Sequence, residues 1–236
     1  STPDDDRLRA LFSRLEFKTW LSELGGTNSV ATHSPEVDYT IILDEKTLRQ
    51  WIKRLSKAGV FSLDTETTSL DTLCAELVGI SFTDRAGEGA YLPLAHDYVG
   101  APLQVSLDYA LTCLRPLLED PKIGKIGQNL KYDRSVLQNY GIDLKGSRFD
   151  TMLESYVLNS TGSRHDLSTL AIKYLGYKVV KYAVVAGGGK SQVSFSQVGV
   201  EQAGQYAAED ADMAMRLHEK IYPQFQPEPT LSSVLE

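Results

Sequence analysis

The sequence predicts an α/β domain built around a mixed sheet, and three observations carry that expectation. From Val37 onward, short runs rich in β-branched and aromatic residues alternate with amphipathic helical stretches. Three strand runs follow one another before a long helix, which calls for an antiparallel meander on one side of the sheet. Hydrophobic residues make up 42% of the 236 residues and charged residues 23%, the balance of a chain that buries a core.

The elements follow in order. Leu8, Leu11, Phe12 and Leu15, then Phe17, Trp20, Leu21 and Leu24, fall at helical spacing and predict one or two short helices. Gly25 to Pro35 is small, polar and without period, and reads as a linker. The compact domain is expected over 37–223, with 1–36 as an N-terminal helical segment and linker and 224–236 as a tail. Tyr39–Leu43 is β-rich. Asp44 opens a helix carrying Leu48, Trp51, Ile52 and Leu55 on one side. Val60–Leu63, Leu77–Phe82 and Gly89–Leu94 read as strands and Leu107–Leu118 as a helix. Ile123–Gly127 is a short strand leading into a helix over Leu130–Tyr140. Further helices are expected at Thr151–Leu158, Leu167–Leu175 and Val198–Ile221, the last ended by Pro223.

Composition excludes several classes of function. No apolar stretch reaches the ~18–20 residues of a membrane helix, and the N-terminus lacks the pattern of a signal peptide. Two cysteines, Cys74 and Cys113, make no disulfide framework and suggest a reduced, intracellular setting. A net charge of −7 argues against coating a duplex non-specifically.

Three segments place acids where the pattern calls for hydrophobes. In Val60–Glu66, residues two apart share a strand face, so Asp64 and Glu66 point the same way beside Ser62. The alternative is that Asp64 ends the strand and Glu66 is a solvated turn residue. On the helix from Leu130, position 133 falls on the stripe of Leu130, Val136, Leu137 and Tyr140, yet it is Asp133, with Arg134 as an alternative ion-pair partner. The last helix carries Val200, Ala203, Ala207, Asp210, Ala214, Leu217 and Ile221 at three- and four-residue steps, all apolar but one. Glu209 and Asp212, about 100° and 200° round the helix, are expected at the rim or in solvent. Tyr206 stands one turn before Asp210 on the same face. Oxygen-only clusters of this kind suit Mg²⁺ or Mn²⁺. Two such ions ~4 Å apart suit phosphodiester cleavage.

These segments resemble a known family. Phe61-Ser-Leu-Asp-Thr-Glu-Thr, Gly127-Gln-Asn-Leu-Lys-Tyr-Asp133 and Tyr206-Ala-Ala-Glu-Asp210 are similar to the three motifs of the DEDD exonucleases, in their tyrosine subclass. Phe149-Asp-Thr-Met-Leu-Glu-Ser-Tyr and Gly162-Ser-Arg-His-Asp-Leu resemble more narrowly the proofreading-domain family of bacterial DNA polymerase I, as does Leu15-Glu-Phe-Lys-Thr-Trp-Leu. The resemblance spans about Tyr39 to Pro223.

It implies a ribonuclease H-like fold, a mixed five-stranded sheet flanked by helices. It implies 3′–5′ removal of nucleoside 5′-monophosphates from single-stranded DNA 3′ ends by a bacterial cytoplasmic protein, with a polymerase domain normally in the same chain and the domain itself a monomer. Asp64, Glu66 and Asp210 would ligate a first Mg²⁺ or Mn²⁺, Asp64 and Asp133 a second, and Tyr206 with Glu66 would orient the nucleophile. Leu70 would wedge beside the terminal base and Tyr182 would pack against a base. Gln128, Asn129 and Arg164 would contact the sugar–phosphate strand.

Other features have plainer readings. Ala186-Gly-Gly-Gly-Lys-Ser191 resembles the end of a P-loop, but Val184 stands where the leading glycine belongs and no strand precedes it. Gly204 suits close helix packing. His165 fits the cleft or a structural role equally. Two other functions share the motifs: an RNA-trimming nuclease of the ribonuclease D type, and a catalytically silent nucleic-acid-binding module.

Overall fold

The computed structural model describes residues 4–15, 17, 37–162 and 164–225. Trp20, Leu21, Leu24, the linker to Pro35 and the tail beyond residue 225 lie outside the described residues. Helix α1 (Asp5–Arg14) is capped by Asp4, whose side chain accepts from the Arg7 N–H.

In the main domain, β1 (Asp38–Ile41) leads to α2 (Glu45–Ala58) and then to a meander of β2 (Val60–Thr67), β3 (Leu77–Arg85) and β4 (Glu88–Pro93). Helix α3 (Leu107–Leu118), β5 (Gly124–Gly127), α4 (Leu130–Asn139), β6 (Ser147–Asp150) and α5 (Thr151–Leu158) follow. A short α6 (Leu167–Leu170) continues as a π-helical turn, Ala171–Leu175, where one regular helix was expected. The chain then passes through α7 (Tyr182–Val185) to the 22-residue α8 (Val200–Ile221).

The sheet has six strands in the order β1-β4-β3-β2-β5-β6, one more than the resemblance implies. The extra strand is β6, Ser-Arg-Phe-Asp, at the sheet edge, where two exposed polar residues precede a single apolar one and leave no alternating pattern to read. The expected meander is present: β2–β3 and β3–β4 are antiparallel, while β1–β4, β2–β5 and β5–β6 are parallel.

Why each element forms is local. Asp44 caps α2 through the Thr47 N–H, 2.9 Å, and buries Leu48, Trp51 and Leu55 below it. Gly59, at φ 74°, turns the chain straight into β2. At α4 the chain enters through Asn129 in the left-handed region, φ 65°. One carboxylate serves two helices there. Asp150 accepts from the Asn129 and Leu130 N–H groups at 3.1 and 2.8 Å, and from those of Met152 and Leu153 at 3.0 and 3.3 Å.

The sheet divides two cores. Phe61, Leu63, Ile80, Phe82 and Leu92 pack with α2, α3 and α4 on one face. On the other, Val78 and Tyr91 meet Ala203 and Ala207 of α8, and Ile126 meets Ala214 and Met215. Gly204 permits this approach as expected, since a Cβ there would stand 2.9 Å from Ile41 Cγ1. The alternation along β2 thus turns Ser62, Asp64 and Glu66 toward α8.

Candidate active site

Strand β2 runs to Thr67, so Asp64 and Glu66 both lie within it. Their register partners on β3 are Ser81 and Gly79, and the small residues leave the carboxylates room. Helix α8 crosses this face and delivers Asp210. Carboxylate oxygens of Asp64, Glu66 and Asp210 all come within 4.8 Å of one another. Asp133, buried on α4, is anchored beside them by Thr65, whose N–H donates at 2.9 Å and whose hydroxyl donates at 2.6 Å. Arg134 points elsewhere and pairs with Asp143 at 3.5 Å.

The electrostatics follow from four acids crowded together at the floor of a cleft. Burial, then Asp133, Glu66 and Asp210, pushes the Asp64 carboxyl well above its usual range. Burial and the Asp210 and Asp133 charges do the same to Glu66. Burial raises Asp133 to about 6 against the opposing Thr65 hydrogen bonds, and raises Asp210 to about 7 against a hydrogen bond from Tyr206. The Tyr206 hydroxyl is pushed far above the phenolic range by burial and by Asp210, Glu66 and Asp64. It stays protonated and acts as a donor.

The residues fit a divalent cation. Glu66 Oε1 is buried without a hydrogen-bond partner, and Asp64 and Asp210 each bring a carboxylate oxygen within 4.8 Å of the Glu66 carboxylate. A hard cation bound there would hold such a set ionised.

Above the acids lies a cavity of about 510 Å³ whose walls include Asp64, Glu66, Asp210, Leu70, Tyr182 and Tyr206. Leu70 is 92% exposed, so it is not core packing. The Tyr182 ring stacks on Phe195 at 6.1 Å and meets Tyr206 edge-on at 6.2 Å. Thr67, Thr68, Ser69, Tyr132 and Gln192 also line it and were not singled out from the sequence. Tyr132 precedes Asp133 on α4 and donates to the Ser69 carbonyl at 2.5 Å. Gln192 follows the P-loop-like segment, which the structure shows as a 3₁₀ turn after a helix.

Three expected strand contacts are not among the residues lining this cavity. Gln128 donates to the His165 carbonyl and accepts from the Thr151 hydroxyl, both at 2.6 Å. Asn129 forms the entry turn of α4, and Arg164 is exposed beside Asp166, 3.7 Å away. His165 takes the structural option, its Nδ1 3.0 Å from the Ser155 hydroxyl.

One expectation is overturned. Glu209 and Asp212 are buried, not at the rim. Glu209 accepts from the Tyr177 hydroxyl and the Val180 N–H, each at 2.7 Å. Asp212 accepts from the Tyr39 hydroxyl and the Gly87 N–H at 2.8 Å and from Arg216 at 3.0 Å. Helix α8 is clamped between the sheet and the α6–π turn, so its middle has no solvent face. Burial therefore does not single out Asp210. Its surroundings do: it faces other carboxylates, where Glu209 and Asp212 face donors.

A ribonuclease H-like sheet with this carboxylate set defines a divalent-metal-dependent nuclease class. The sequence profile of the 3′–5′ exonuclease family matches residues 39–226, and the chain belongs to that family. It is 47% identical to DNA polymerase I of Pseudomonas aeruginosa, over 99% of this chain and 27% of that one, so it spans about a quarter of that relative's length. Its fold is also that of a polymerase from M. smegmatis described as the "POL domain of Pol1", at TM-score 0.62 and 18% identity, over 81% of this chain and 28% of that chain. RNase D of Escherichia coli is as similar in shape, at TM-score 0.63 and 19% identity, over 84% and 48%.

Proposed function

We propose that this domain hydrolyses the terminal phosphodiester bond at DNA 3′ ends, releasing nucleoside 5′-monophosphates, as the proofreading part of a polymerase in the bacterial cytoplasm. The observation that carries this reading is the meeting of Asp64, Glu66 and Asp210 within 4.8 Å, beside an unpartnered Glu66 oxygen and under a cavity walled by Leu70 and Tyr182.

Asp64, Glu66 and Asp210 would hold one divalent ion, Mg²⁺ or Mn²⁺, and Asp64 with Asp133 a second. Bound there, such ions supply the positive charge that makes water nucleophilic and steadies the leaving 3′ oxygen. The chain's own groups do the positioning. Tyr206, held protonated beside Asp210, would with Glu66 orient the attacking water. Leu70 and Tyr182 grip the terminal nucleotide by apolar and aromatic contact, which tolerates any base. Gln128, Asn129 and Arg164, at the entry of α4 and beyond, would meet the backbone of the strand.

The test is Mn²⁺-dependent mononucleotide release from end-labelled single-stranded DNA. Asp64→Ala should lose at least ~10³-fold in rate. Release by that variant at the parent rate would overturn the reading. Likeness in shape to RNase D supports a second reading, RNA trimming. Parallel digestion of matched DNA and RNA strands decides, and a strong RNA preference would favour the second.

A further inference from the structure

Helix α4 has two working sides. Tyr132 faces the carboxylate cleft, and Asp133 packs beneath it. Leu130, Lys131 and Arg134 line a separate groove of about 530 Å³, closed on its far side by Arg148 of β6 and by Leu153 and Tyr156 of α5. The groove is basic in a chain whose net charge is −7. Its one acid, Asp150, is spent on four backbone N–H groups of α4 and α5. Lys131, Arg134 and Arg148 are exposed at its wall. Arg134 has only the 3.5 Å pairing with Asp143, and Arg148 donates to the Pro121 carbonyl at 3.1 Å, which leaves its charge unneutralised.

Apolar and aromatic surface is exposed beside those cations. Leu153 is 49% and Tyr156 54% exposed, and the Tyr156 ring is propped edge-on against His165, 5.4 Å between centroids. Cations interleaved with an exposed aromatic ring are the chemistry of a single-strand track, where phosphates meet charge and bases meet rings. The cleft takes Tyr132 and the groove takes Leu130, Lys131 and Arg134 from the same helix, and a helix is ~10–12 Å across. A strand passing from one side to the other therefore spans at least about three stacked nucleotides at ~3.4 Å each.

We propose that this groove holds the 5′ part of the single-stranded DNA whose 3′ end occupies the carboxylate cleft. The strand crosses the N-terminal end of α4, its phosphates facing Lys131, Arg134 and Arg148 and a base resting on Tyr156. The proposal rests on the exonuclease reading for what lies in the cleft, but its own consequence is a dependence on strand length.

The experiment measures binding of fluorescent oligothymidylates in EDTA by anisotropy, using a trinucleotide and a strand of about ten nucleotides. The combined variant Lys131→Ala, Arg134→Ala, Arg148→Ala should weaken the long strand about tenfold at low salt. It should also lower the slope of log affinity against log salt by about 2, at ~0.7 per phosphate contact. The trinucleotide should be unaffected. Tyr156→Ala should weaken the long strand about fivefold or more, and Tyr156→Phe should restore it. With Mn²⁺, the same variants should raise KM for the long strand and leave kcat unchanged. Equal losses on both lengths, an unchanged salt slope, or parent-like binding of the long strand would each overturn the proposal. Failure of the parent domain to cleave any strand would instead contradict the exonuclease reading, leaving the binding result to decide the groove. Melting temperatures equal to the parent's exclude damage to the fold.

Discussion

The Asp133 carboxylate reaches from α4 to Thr65 of β2 and takes two hydrogen bonds from it, 2.9 Å from the N–H and 2.6 Å from the hydroxyl. The strand that carries two of the acids thereby fixes a third, and it does so with the residue that points to its opposite face. Removing the hydroxyl as Thr65→Val should cost about 1 kcal/mol of stability and lower kcat about tenfold by loosening Asp133, while Thr65→Ser keeps both near the parent. Thermal melts and single-turnover rates on the two variants check this, and equal rates would show that the anchor is dispensable.

Tyr206 is a donor and not a base, because burial and three carboxylates hold its hydroxyl protonated. Tyr206→Phe should lower kcat about 10²-fold, the usual loss for a single positioned donor, with KM changed little. A KM effect without a kcat effect would assign the ring to binding alone.

The acid cluster makes a prediction about pH. Asp133 and Asp210 titrate near 6 and 7 in the metal-free fold, above the ordinary carboxylate value of 3.8. The folded state therefore holds protons that the unfolded chain has released, and this part of stability is present below pH ~4 and lost as pH rises through ~7. Melts in EDTA should show this downward slope relative to Asp210→Asn, in which it shrinks. Mn²⁺ should reverse it by holding the carboxylates ionised. Parallel pH profiles for the parent and Asp210→Asn would remove the cluster as the cause.

Gly79 sits on β3 beside Glu66, and a Cβ there would run into the Tyr91 ring. Tyr91 is fully buried, and its hydroxyl lies 2.7 Å from His96 Nε2, so it has little room to yield. Gly79→Ala should cost about 1–3 kcal/mol, measured by urea unfolding. A neutral result would mean that the Tyr91 ring repacks freely.

The sequence carried more of the site than of its supports. Strand alternation put Asp64 and Glu66 on one face, and the helical stripe singled out Asp210, because each acid interrupts an otherwise apolar pattern. The same period argument misplaced Glu209 and Asp212. It assumes that a helix has one buried face, and α8 is covered on both sides. β6 was invisible for the opposite reason, since a four-residue edge strand with one apolar side chain, Phe149, leaves no period. The Asp150–Leu130 and Thr65–Asp133 bonds join residues 20 and 68 positions apart, and only the folded chain brings them together.

The most direct measurement is a crystal of the domain soaked with Mn²⁺ and a nucleoside 5′-monophosphate, read by anomalous scattering. A manganese peak between the carboxylates of Asp64, Glu66 and Asp210, with the nucleotide base against Leu70 and Tyr182, is the expected result. An ordered nucleotide elsewhere, with no manganese among those three acids, would contradict the account.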